Sequence, residues 1–410
     1  MATPRQPGRR GLQPEQALTI TVLALVFFGL VMVYSASSAT ALLSDGDPLG
    51  PATRQLVYAA LGGIAFVFFS RSSAATLRKI AGPGLAISLF LLLIVLVPGI
   101  GTEVNGSRRW LSLGGLAALQ PSELAKLAIV LWIAALAADR RSRLGEWRTI
   151  MPFILVTGAA AALILVEPDL GTAAVLGGAA LATLIVAGAR VRQVGLVAGG
   201  AVGLAALSIL AVPYRRERML VFLDPWSDPE GAGFQVVQAQ VALGSGGIHG
   251  VGLGEGLQKA FYLPEAHTDM ILATVGEELG LVGVFSLLAA FAVIAWAGFR
   301  IALAAPDTHQ QAIAAGLTSL VVLQAAVNAG AVMGMVPITG VPLPFVSFGG
   351  SSLIVLLASA GILVNIGRNS RRSSLRALRG GAEGGDRRER DGRARHPGAG
   401  RRRGAGSARG

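Results

Sequence analysis

The chain has 410 residues, 53% of them hydrophobic and only 14% charged, whereas a soluble domain carries roughly a quarter charged residues. It holds no cysteine, which excludes disulfides and thiolate metal sites, and its four histidines (His249, His267, His309 and His396) show no metal-ligand spacing. The net charge of +12 falls largely in an arginine-rich tail after Arg368 with no interleaved aromatic residues, which argues against a nucleic-acid partner.

Ten apolar runs of about 20 residues follow in order, each long enough to cross a bilayer. They lie at about 17–38, 52–70, 80–99, 122–138, 150–166, 170–188, 194–213, 270–300, 309–335 and 346–367. They predict an all-α polytopic membrane protein with a membrane domain over 17–367, after an N-terminal tail of residues 1–16. Arg5, Arg9 and Arg10 precede the first run and no small-residue cleavage site accompanies it, so a retained span is expected rather than a signal peptide. With the N-terminus inside, the inside loops carry Arg71, Arg78 and Lys79, then Arg140, Arg141, Arg143 and Arg148, then Arg190 and Arg192, then Arg300. That is the asymmetry of the positive-inside rule, and it places both termini in the cytoplasm. Residues 368–410, without apolar periodicity, are expected to form a disordered basic tail.

Several polar groups lie where the positive-inside rule does not ask for them. Arg108, Arg109 and Trp110 fall in the outside segment 100–121, either as a headgroup anchor or as cations for phosphate. Pro121 and Ser122 then mark a helix start, and Glu123 and Lys126 share a face three residues apart. The pair reads equally as an internal brace and as a substrate contact. In VEPDLGTA, Pro168 stops a helix and Asp169 is placed to cap the next one, with a direct catalytic role or a structural ion pair as the alternatives for Glu167 and Asp169. Gly195, Gly199 and Gly203 recur every four residues and read as a helix-packing face.

The outside segment 214–269, between the seventh and eighth spans, is long and apolar enough to be a structured loop. Within it FQVVQAQVAL suggests a short helix. The glycines from 244 to 256 lack a G-x-x-x-x-G-K-[ST] pattern, so they indicate close backbone packing in an irregular loop rather than nucleotide binding. Lys259, Glu265 and His267 lead up to Asp269, which stands directly before the eighth apolar run. Asp269 either caps that helix or, projecting above the membrane, takes a proton from a substrate hydroxyl. The run from 270 to 303 exceeds one span, so the helix either projects outward or breaks near Gly280. Finally, Pro337, Pro342 and Pro344 keep the segment 336–352 irregular. Its Ser347, Ser351 and Ser352 offer hydroxyls at a helix start, where anions are favoured.

Taken together, NGSRRWLSLG, QPSELAK, EPDLGT, GSGGIHGVGLG, QKAFYLPEAHTD, EELGLVG and PLPFVSFGGSS, in this order across residues 17–367, resemble the SEDS family (shape, elongation, division, sporulation), the FtsW/RodA group. The YLPEAHTD segment is closer to the FtsW branch. The resemblance implies a peptidoglycan glycosyltransferase that polymerises lipid II at the outer face of the bacterial cytoplasmic membrane, for septal wall synthesis. It also implies a class B penicillin-binding protein and other divisome membrane proteins as partners. By matching motif, Asp269 is the essential carboxylate, and Arg109, Glu123 and Lys126 line a central cavity. Lys259, His267, Ser347, Ser351 and Ser352 complete the expected substrate-binding set. No cofactor is called for. A divalent cation could assist the departing diphosphate, although no ligand cluster announces a metal. The alternatives are an elongation-type RodA-like polymerase, a lipid II flippase, which would need a polar path across the bundle, and a noncatalytic scaffold.

Overall fold

The computed structural model describes residues 12–43, 47–104, 107–112, 114 and 118–393. Helices α1 (Pro14–Leu43), α2 (Gly50–Arg71) and α3 (Ala74–Val95) lead into a small antiparallel sheet in the order β1 (Gly101–Val104), β2 (Ser107–Ser112), β3 (Ala118–Leu119). Helices α4 (Pro121–Asp139), α5 (Trp147–Val166), α6 (Leu170–Ala187) and α7 (Val191–Ala211) follow. The long loop then folds into α8 (Pro213–Leu223), α9 (Phe234–Ser245) and the single turn α10 (Gln258–Phe261). Helices α11 (Ile271–Ala304), α12 (Thr308–Val332) and α13 (Ser351–Arg393) complete the chain. Ten of these helices are long and apolar enough to cross a membrane, and the chain is an all-α polytopic membrane protein. Exposed Phe27, Phe68, Leu155, Leu204 and Leu303 would be anomalous in water and suit a lipid-facing surface.

Three boundaries differ from the hydropathy reading, each for a local reason. α3 starts at residue 74 rather than 80, because Ser73 caps it by accepting a hydrogen bond from Thr76 N at 3.0 Å. It stops at Val95, ahead of Pro98 and of Gly99 with its φ of 88°. α13 starts at Ser351, not 346, since Gly350 takes φ 47° immediately before it. Beyond its apolar part, α13 runs on through Arg393. Arginine, alanine, leucine and glutamate are strong helix formers, and extending an existing helix avoids the cost of nucleation. Residues 394–410 lie outside the described residues.

The deepest helices are α4, α12 and α13, with α6 packed on α12 and α4, and α2 packed on α13. α7 sits at the edge, where only Gln193 and Val194 are buried. The packing face expected from Gly195, Gly199 and Gly203 is not used within the chain, because no heavy atom lies near where their Cβ atoms would be. The small residues there meet nothing, since α7 touches its neighbours α6 and α8 through other positions.

α11 is broken at Gly280, with φ 65° and ψ −161°. A break inside an apolar environment orphans backbone groups that water cannot reach. The glycine-rich loop supplies their partners. Val251 N and Gly252 N donate to the carbonyls of Glu277 and Glu278, both at 3.0 Å, while Leu281 N and Val282 N donate to Gly247 O and Ile248 O at 3.0 and 3.2 Å. A Cβ at Gly250 would collide with Glu278 O. Gly246 and Gly250 are there for backbone contact with α11.

Candidate functional site

The polar motifs converge on one end of the bundle, where α3, α5 and α12 finish and α4, α6, α11 and α13 begin. Asp269 occupies the turn immediately before α11. The N-cap residue of that helix is Met270, and no side chain caps it, so the Asp269 carboxylate is not spent on capping. Its backbone carbonyl accepts a 2.7 Å bond from Asn328 Nδ2, which also donates to Val341 O at 2.9 Å. α12 therefore fixes the turn from below and leaves the carboxyl to its surroundings. Burial pushes that carboxyl up to about 6, the Glu265 charge adds to the rise, and Arg218 and Thr268 pull against it. A carboxyl so placed can hold or release a proton near neutrality.

Arg109, on β2, reaches over the same place. Its Nε and Nη2 donate to Glu167 O and Pro168 O, each at 2.7 Å, and its Nη1 lies 3.6 Å from Asp169 Oδ2. These carbonyls end α5, so a cation there also meets the negative end of the helix dipole. Asp169 caps α6 by accepting from Thr172 N at 2.9 Å, the role its position after Pro168 suggests. Gly340 closes the arrangement. A Cβ there would lie 3.9 Å from Asp269 Oδ2 and 4.0 Å from Arg109 Nη1, so carboxylate and guanidinium face one small space. Beside them the buried Glu167 carboxyl has no hydrogen-bond partner among the described residues. Burial first, then the Asp169 charge, raises it to about 8 against the opposing pull of Arg109.

Other expected substrate contacts are enclosed in the structure. Lys126 is fully buried, donating to Glu123 Oε1 at 2.9 Å and to Gln324 Oε1 at 2.8 Å. These bonds fit the brace reading of the pair, since a lysine out of water needs partners for its charge and donors. Lys259 is likewise buried, ion-paired with Glu278 and donating to Ser35 Oγ at 2.9 Å. It ties α10 to α1 and α11. Glu277 accepts from Leu257 N and Gln258 N at 2.8 and 3.0 Å, holding the start of α10. Ser347 Oγ accepts from Leu343 N at 2.9 Å, and Ser351 Oγ from Gln120 N at 3.0 Å. Both hydroxyls shape the backbone, whereas the buried Ser352 hydroxyl has no partner among the described residues. His267 is half-buried against Phe348, ring centroids 5.6 Å apart, and burial holds its imidazole below the usual value.

Sequence reasoning missed Gln324 and Asn328, whose signal is two amides four residues apart in an apolar span. It also missed Arg215 and Arg218. Arg215 Nη2 donates to Leu165 O at 2.7 Å and Arg218 Nη1 to Ile338 O at 3.1 Å. Their signal is arginines in the loop after the seventh span, at the end that the charge asymmetry leaves poor in cations. Among the described residues no group of three or more histidine and carboxylate side chains could hold a metal ion.

Comparison with known proteins agrees over nearly the whole membrane domain. The model of a family described as cell cycle protein, covering FtsW, RodA and SpoVE, matches residues 15–372. Stage V sporulation protein E of Bacillus subtilis is 41% identical over 363 residues, covering 87% of this chain and 98% of that protein. A probable peptidoglycan glycosyltransferase FtsW of Geobacter metallireducens is 43% identical over 360 residues, covering 86% and 94%. Among solved structures, a chain from work on structural coordination of polymerization and crosslinking by a peptidoglycan synthase complex aligns with a TM-score of 0.70 at 33% identity, covering 86% of this chain and 97% of that one. The rod shape determining protein RodA of Thermus thermophilus aligns with a TM-score of 0.63 at 31% identity, covering 86% and 96%.

Proposed function

The chain belongs to the FtsW, RodA and SpoVE family and is a peptidoglycan glycosyltransferase of a bacterial membrane; from that premise we propose that it polymerises lipid II at the outer face, with Asp269 as general base. The carrying observation is the Asp269 carboxyl, raised to about 6, free of capping duty and facing Arg109 across Gly340. An acceptor sugar hydroxyl attacks the donor's anomeric carbon and gives its proton to Asp269. The bond from that carbon to the diphosphate oxygen breaks, and its electron pair leaves with the lipid diphosphate. Arg109 stabilises the charge that develops on the leaving group.

The loop arginines support a cytoplasmic placement of both termini. A septal role is supported by the FtsW and SpoVE relatives at 43% and 41% identity, against 31% for RodA. A class B penicillin-binding protein is the proposed partner, in company with other divisome proteins. A flippase would need charge across the bundle. Among the described residues, the buried charged side chains other than Glu15 sit at the Asp269 end, which favours chemistry there.

The test is glycan-strand formation from purified lipid II, by this chain with a partner lacking its own glycosyltransferase. Wild type is compared with Asp269→Ala at matched folded yield. Polymer from wild type alone supports the base. Equal polymer from both removes it, and lipid translocation without polymer in either would make the protein a transporter.

A further inference from the structure

α8 carries PYRRERMLVFL and lies across the same end of the bundle. Arg215 anchors it to the last turn of α5 through Leu165 O, and Arg218 to the irregular segment after α12 through Ile338 O. Between α8, α9 and that segment runs a cavity of ≈ 100 Å³, lined by Arg218, Val221, Phe222, Gln235, Val236 and Ile338 among others. It is amphipathic. Arg218 is a cation whose field reaches Asp269, and it bonds two residues from Gly340, the point that Asp269 and Arg109 both face. Val221, Phe222, Val236 and Ile338 make most of the remaining wall apolar. On the outer side of α8, Leu220 and Leu223 are exposed, as is Trp226 just beyond it, as in a helix resting at a lipid surface.

This arrangement adds a second accessible cation to the half-buried Arg109 at the same end of the bundle. A departing diphosphate needs an accessible positive charge beside the reacting carbon, and a guanidinium matches phosphate oxygens in a bidentate fork. Lys126 and Lys259 are enclosed, whereas Arg218 is exposed. Resting on the glycosyltransferase reading, we propose that the α8–α9 groove is the prenyl-diphosphate subsite of the donor: Arg218 holds the phosphates, and Val221, Phe222 and Ile338 receive the first isoprenoid carbons. The rest of the chain passes along the apolar side of α8 into lipid.

The test uses the full-length protein in nanodiscs with three probes, farnesyl diphosphate, farnesol and inorganic pyrophosphate, measured by direct binding. Farnesyl diphosphate is expected to bind wild type at least about tenfold tighter than either fragment, and Arg218→Gln to lose about tenfold of that affinity. Arg218→Lys keeps the charge and should recover part of it. Phe222→Asn should weaken farnesyl diphosphate and leave inorganic pyrophosphate unchanged. The exposed Arg216, which does not line the groove, is the control, and Arg216→Gln should bind as wild type does. Equal affinities in Arg218→Gln and wild type would overturn the subsite, as would equal losses in Arg218→Gln and Arg216→Gln. Asp269→Asn separates the two readings. If it still polymerises, the base assignment fails while the Arg218 dependence of binding still decides the subsite. If polymerisation is lost and farnesyl diphosphate binds independently of Arg218, the subsite fails and the base stands.

Discussion

Two kinds of polar cluster share one end of the bundle, and they differ in how their charges are met. In the closed kind, Glu123 with Lys126 and Gln324, and Lys259 with Glu278 and Ser35, the charged side chains are at most 2% exposed and paired in place. In the open kind, Asp269 is half-buried with Thr268 Oγ1 no nearer than 3.5 Å, and Arg109 remains 20% exposed. An ion in a span therefore does not by itself mark a ligand site. Ion pairing out of water suits framework, because taking one partner away strands the other charge. Incomplete pairing leaves a group available for chemistry.

The comparison breaks most easily at Asp269. Asp269→Asn keeps the shape and removes the base, so glycan polymerisation should fall by about 10²–10⁴-fold. Thermal unfolding should barely move, since the carboxylate caps nothing. In wild type the polymerisation rate should fall as pH drops through about 6, where Asp269 gains its proton. A rate flat across that range would return Asp269 to the structural class.

Breaking a closed cluster should do the reverse, costing stability first. Lys126→Met leaves Glu123 buried and unpaired, a loss of about 3–5 kcal/mol visible as reduced folded yield and unfolding temperature. The double variant Glu123→Gln with Lys126→Met should recover most of it. If the double variant unfolds as readily as the single one, the pair does more than brace α4. A milder break is Gly250→Ala. Its φ of 80° and the nearby Glu278 carbonyl oppose a side chain, so about 1–3 kcal/mol should be lost. Hydrogen exchange should rise at Val251, Gly252, Leu281 and Val282, whose amides join the loop to the break in α11.

The same contrast explains what could be read from the amino-acid order. Spans are local, each a run of apolar residues, and Asp169 capping is local too. Asp269 stood out because its neighbours Glu265 and His267 are polar immediately before a helix. The partners of Glu278 and Lys126 were not readable, because Ser35 and Gln324 are 243 and 198 residues away and no periodicity records which helices meet. Arg218 escaped for the same reason, since its meaning comes from Ile338 across the fold. The β1–β3 sheet is made of strands of six residues or fewer, too short for an alternating pattern.

Glu167 tests the contrast at its margin, being buried like the closed clusters yet unpaired like the open site. Burial raises it from an ordinary 4.5 to about 8, so the folded chain holds this proton over a range in which the unfolded chain has released it. Stability from the protonated form is therefore fully present below about 4.5 and is lost as pH rises through about 8. Glu167→Gln keeps the neutral shape and cannot ionise. The variant and wild type should unfold alike near pH 5 and then diverge in favour of the variant, by about 1 kcal/mol at neutral pH once water entering the turn is allowed for. Unfolding temperatures measured from pH 5 to 9 decide it. A difference that stays constant with pH would mean that Glu167 is ionised in the folded chain and paired with Arg109, which would move the whole EPD turn into the closed class.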